Sequence, residues 1–135
     1  LRAAIAALPE PAVSVAVAYA DWEAARAPDP WEVLHAAEAL GCGALLLDTF
    51  DKRGASSLGH LGAAELARLV SAARRAALVS VIAGRLGPIE IEQVLPLEPD
   101  YVGVRGAACR SGRNGPLDAA CVRRLAAVVR QGSTR

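Results

Sequence analysis

Lys52 is the only lysine in a chain that holds fourteen arginines. It stands in LLLDTFDKRG (45–54), four residues after Asp48, where an aliphatic run meets charge. Arginine suits surface charge and phosphate, but its pKa stays above about 12 and its proton does not come off. A lysine can work as a neutral amine or as an ammonium that gives up a proton. Carbonyl chemistry asks for such a group, and a neighbouring carboxylate favours its charged form. Asp48 is placed to orient that ammonium or shuttle its proton. The plainer alternative is a strand-end aspartate that caps the next segment, beside a solvent-exposed lysine.

IAGRLG (82–87) and VGVRGAAC (102–109) form a second set. Small residues let backbone N–H groups come close to an anion. Gly84, Arg85, Gly103, Arg105 and Gly106 are therefore candidate phosphate ligands, with Arg105 adding a charge-assisted contact. The alternative is that these glycines only permit tight turns. Tyr19 and Asp21 form a third set, as ligands of substrate hydroxyls or as acid and base; a turn cap at Asp21 is the competing reading. His35 reads as a helix-surface residue, His60 as a loop residue, and Cys109, with no histidine partner in view, as a small packing residue. Trp22 and Trp31 flank the turn APDP and are expected to pack there.

These residues need a frame. PAVSVAVAY (11–19), GALLLDT (43–49), LVSVIAG (78–84) and DYVGVRG (100–106) read as strands. Helical spacing fills the gaps at 31–40, 62–76, 88–97 and 116–131, and the opening LRAAIAAL reads as the end of a helix. Alternation of this kind predicts parallel βα units. Strands apolar on both sides predict a sheet covered on both faces. The fold class is therefore α/β, with parallel (β/α) units at about 30 residues each, the pitch of a TIM barrel. Eight such units need roughly 250 residues, so the chain is read as about half a barrel, strands five to eight, in one partial domain over 1–135. An open flavodoxin-like sheet is the competitor. In both folds chemistry gathers at the carboxyl ends of the strands, and every charged residue that breaks an aliphatic run here does so at that end. In barrels the loops after the last two strands often hold phosphate, which suits 82–87 and 102–109.

The composition narrows the class. Hydrophobic residues make up 53% and aromatics 4%, so the core must be built from Ala, Val and Leu. A net charge of +1 with scattered arginines argues against a nucleic-acid partner. No run is long enough to span a membrane, and no signal peptide is visible. Three cysteines without CxxC spacing argue against a disulfide framework or a zinc site, and favour a reducing cytoplasm. The chain has no methionine, so Leu1 is read as lying inside a longer chain, with the N-terminal half of the barrel absent.

YAD (19–21), GCGALLLDTFDKRG (41–54), AGRL (83–86) and GVRGAAC (103–109) together resemble the second half of (5-formylfuran-3-yl)methyl phosphate synthase, or 4-HFC-P synthase. The resemblance runs over essentially the whole chain and implies a TIM barrel. It implies a lyase that condenses two glyceraldehyde 3-phosphate molecules, with loss of phosphate and water, in methanofuran biosynthesis. It implies an aldolase-like mechanism whose Schiff-base lysine, with a further proton-transfer lysine, lies in the half not present here. Asp48 and Lys52 match the family's Asp-x-x-x-Lys pair, and the glycine of AGRL with Arg105 and Gly106 matches the phosphate loops. A small phosphorylated aldehyde is the expected substrate, and neither cofactor nor metal is expected. A half-barrel exposes apolar strand edges and is expected to associate with itself or with a first-half barrel. There are departures: Arg53 stands where the family has Asp, LGH (58–60) replaces an aromatic segment, and RSGRNGPLD (110–118) is shorter than usual. They bear on substrate affinity more than on fold. The rival readings are another phosphate-handling barrel aldolase or isomerase, and a non-catalytic half-barrel assembly module.

Overall fold

A computed structural model describes residues 2–9 and 11–132. Strands β1 (Val15–Tyr19), β2 (Ala44–Asp48), β3 (Val79–Ile82) and β4 (Tyr101–Val102) form one parallel sheet in the order β1-β2-β3-β4. The order advances one strand at a time with no reversal, unlike a flavodoxin-like sheet. Strand β4 stops well short of the 100–106 run, because the chain turns out of the sheet after Gly103 donates to Ile82 O and enters a 3₁₀ turn at Gly106–Ala108.

Helix α1 is Arg2–Ala6 and α2 is Trp22–Ala25, a short helix that the sequence pattern does not announce. Helix α3 (Pro30–Leu40) is built by local rules. Asp29 accepts the N–H groups of Trp31 at 2.7 Å and Glu32 at 3.3 Å, Glu32 answers to the Asp29 N–H at 3.2 Å, and Gly41 closes the helix at φ 70. Helix α4 (Ser57–Arg75) kinks at Gly62, whose φ of 75 is not helical; the part after the kink matches the expected helix from 62, and a further turn capped by Ser56 precedes it. Helix α5 (Pro88–Val94) runs into a 3₁₀ turn at Leu95–Leu97, and α6 (Ala119–Gly132) starts on Asp118, which accepts the Ala120 and Cys121 N–H groups. None of these helices is long and apolar enough to cross a membrane.

The expectation of a sheet covered on both faces is corrected. Ala18, Leu45, Leu47 and Ile82 are buried under α3, α4 and α5, where they meet Leu34, Leu66, Leu69, Ile91 and Val94. Each leucine, isoleucine and valine among them contributes about 1.5–3 kcal/mol on full burial. The residues that alternate with them look the other way: Val17 is 44% exposed and Tyr101 65%. The physical reason is handedness. Right-handed crossovers between strands that always advance in one direction place their helices on one face only. Strands β3 and β4 are also joined by side chains: Ser80 donates both its N–H and its hydroxyl to Asp100 Oδ2 at 2.7 Å, and the Asp100 N–H returns to the Ser80 hydroxyl at 3.1 Å.

Candidate active site

Strand alternation puts Tyr19 and Asp48 side by side at the carboxyl end of the sheet, on its open face. Asp48 Oδ1 accepts the Thr49 N–H at 2.8 Å and lies 3.0 Å from Lys52 Nζ. The Lys52 ammonium also donates to the Thr49 carbonyl, so it is held between two acceptors of its own loop. At the other end of the same residue, Arg85 Nη1 donates to the Lys52 carbonyl. The Tyr19 and Phe50 rings meet edge to face, with centroids 5.8 Å apart.

Asp21 follows β1 and is 7% exposed. Its Oδ1 accepts the Phe50 N–H at 2.7 Å and its Oδ2 the Asp51 N–H at 2.8 Å. Burial pushes this carboxyl up, but those two N–H groups, its own N–H and the nearby His60 outweigh burial and hold it below the usual aspartate value. The carboxylate does not cap α2.

Asp48, Lys52, Gly84, Arg85, Gly103, Arg105 and Gly106 line a single pocket of about 570 Å³. Three stretches of sequence, 46–52, 83–87 and 103–113, are thus joined in one site. Tyr19 and Asp21 stand beside it and do not line it. Gly84 is required where it is: its φ is 89, and a Cβ there would meet the Thr49 backbone nitrogen at 2.8 Å. Arg85 follows in the left-handed region at φ 56. The backbone N–H groups of Gly84 and Arg85 have no acceptor among the described residues, and both residues line the pocket.

Sequence reasoning missed Arg113. It lines the same pocket, and its backbone lies against Gly106. The signal was present in RSGRNG, a basic, glycine-rich loop directly after GVRGAAC. With Arg113, the pocket lining holds four basic residues and one carboxylate, a balance that favours a multiply charged anion. Leu46, Val104 and Ala107 add an apolar part to the wall. Cys109 is buried, as expected of a packing residue.

The family model for 4-HFC-P synthase matches residues 2–126. The chain belongs to the 4-HFC-P synthase family. The resemblance read from its motifs is therefore borne out. Among relatives named (5-formylfuran-3-yl)methyl phosphate synthase, that of Methanothermobacter thermautotrophicus is 36% identical over 101 residues, which is 75% of this chain and 43% of the relative. That of Methanocaldococcus jannaschii is 33% identical over 124 residues, 90% of this chain and 53% of the relative. That of Methanopyrus kandleri is 36% identical over 114 residues, 83% of this chain and 48% of the relative. The chain spans about half the length of the family members it matches. A crystal structure of phosphoribosyl anthranilate isomerase from Thermus thermophilus aligns with 99% of this chain and 79% of its own, at 19% identity and a TM-score of 0.49, too low to decide fold or function.

Proposed function

We propose that this chain carries the second half of the active site of a carbon–oxygen lyase. The enzyme condenses two glyceraldehyde 3-phosphate molecules into (5-formylfuran-3-yl)methyl phosphate, with loss of phosphate and water, in methanofuran biosynthesis. The observation that carries the reading is one pocket lined by both the Asp48–Lys52 pair and the glycine–arginine loops. The product named for the relatives is a phosphorylated furan aldehyde, which needs both a proton-transferring group and a phosphate holder.

In this reading Lys52 transfers a proton at the carbon bearing the carbonyl, and Asp48 orients its ammonium. An arginine in that place keeps its proton, which is the chemical reason for the lone lysine. Gly84, Arg85, Gly103, Arg105 and Gly106 hold the substrate phosphate, with Arg113 adding charge. Tyr19, beside Asp48, meets any part of the substrate that extends past the pocket. Neither cofactor nor metal takes part. The four strands are strands five to eight of a (β/α)8 barrel, and the open sheet face is the inner face of the closed barrel. The first half supplies the Schiff-base lysine, so this half alone is inactive. The setting is cytoplasmic.

A second reading follows from the exposed Val15, Val17, Val79 and Tyr101 on the sheet face. It is a non-catalytic module that pairs with a second copy or with a separate first half. The deciding experiment compares the full-length protein with its Lys52→Met variant for furan-aldehyde formation from glyceraldehyde 3-phosphate, after circular dichroism shows equal folding. A several-hundredfold fall in kcat is expected, at the order of about 10²–10⁴ for a lost acid–base group. Unchanged turnover removes Lys52 from the chemistry. No furan product from the parent protein leaves the second reading standing.

A further inference from the structure

We propose that Asp21 is a positioning residue that sets the direction of the Lys52 ammonium through the Thr49–Phe50 peptide. The proposal rests on the reading of Lys52 as the proton-transferring group.

One peptide plane links Asp21 to Lys52. Asp21 Oδ1 accepts the Phe50 N–H at 2.7 Å, from 29 residues away in sequence. In a trans peptide the N–H and the preceding C=O point in opposite directions. Fixing the Phe50 N–H therefore fixes the Thr49 carbonyl, and that carbonyl is an acceptor of the Lys52 ammonium. Asp21 Oδ2 takes the next N–H, of Asp51, at 2.8 Å, so the neighbouring peptide is anchored to the same carboxylate. The Tyr19–Phe50 ring contact braces the same turn from the open face.

Lysine needs such help. Its ammonium is a compact charge on a flexible four-carbon stem. Asp48 alone offers one acceptor, at 3.0 Å. The Thr49 carbonyl offers a second in another direction, and two acceptors select one orientation. Asparagine at 21 can accept only one of the two N–H groups and turns its own NH₂ toward the other. Water is poorly placed to substitute, because Asp21 is buried. His60 is the titratable side chain that acts on the Asp21 carboxylate besides the backbone donors.

The test uses the full-length protein with ¹³C-labelled lysine, where the Lys52 ε-methylene signal is assigned by its loss in Lys52→Arg. In Asp21→Asn that signal is expected to move toward the free-lysine position and sharpen. The kcat falls about tenfold to hundredfold, as expected of a misplaced group, while KM stays unchanged. Asp21→Glu, which keeps both acceptors, recovers part of the loss, and it carries the same readouts should the asparagine variant not fold. A folded variant with an unmoved lysine signal and unchanged kcat overturns the proposal. So does a rise in KM at constant kcat, which makes Asp21 a substrate ligand. If Lys52→Met retains full turnover, the reading of Lys52 fails, and the lysine signal in Asp21→Asn still decides whether Asp21 orients it.

Discussion

Two aspartates in this chain are bonded in nearly the same way, at opposite ends of the sheet. Asp21, after β1, accepts two backbone N–H groups of the β2–α4 loop. Asp100, before β4, accepts the N–H and hydroxyl of Ser80 in β3. Both carboxyls lie below the usual aspartate value. They differ in water access and in what lies beyond the bond. Asp21 is buried, and its bond leads through a carbonyl to the sole lysine. Asp100 is exposed, and its bonds close on themselves when its own N–H returns to Ser80. In the proposed reading the same chemistry orients a reactive group at the carboxyl end, while at the amino end it only joins two strands.

That contrast can be broken experimentally. The largest effect is expected at the end of the Asp21 chain, where Lys52→Met should cost several hundredfold in kcat, within the range of about 10²–10⁴ for acid–base groups, with the melting temperature close to that of the parent. Asp21→Asn follows, with a smaller loss of kcat and the lysine signal displaced. Arg105→Ala should spare kcat and raise KM about tenfold or somewhat more, the size of one lost charge-assisted hydrogen bond, seen by varying glyceraldehyde 3-phosphate. Asp100→Ala should leave kcat alone and reduce stability by about 1 kcal/mol, read from urea unfolding, because water can reach Ser80 once the carboxylate is gone.

The smallest effect concerns acid. A carboxyl whose folded-state pKa lies below its unfolded value of about 3.9 stabilises fully above that value. Its contribution is lost as pH falls through the lower, folded-state pKa. Asp21 and Asp100 both have this sign. The melting temperature should therefore be flat above about pH 5 and fall below about pH 4. Asp100→Asn should flatten part of that fall without changing kcat at neutral pH, whereas Asp21→Asn should change both.

The sequence by itself determined the alternating elements, because local patterns carry them: the leucine run of β2, the Asp29 cap and Gly41 stop of α3, and the proline that opens α5. It also determined Asp48 with Lys52, a pair four residues apart whose contact forms within one loop. Tertiary structure alone decided what depends on segments remote in sequence. The 43–54 and 82–106 stretches meet at one pocket because β2, β3 and β4 are neighbours in the sheet. One sheet face stays open because crossover handedness, which apolar alternation does not encode, sends the helices to the other face. Asp21 turned to the backbone of Phe50 and Asp51 because β1 pairs with β2 in register, Tyr19 beside Asp48, bringing a carboxylate within reach of N–H groups that no local pattern could have named.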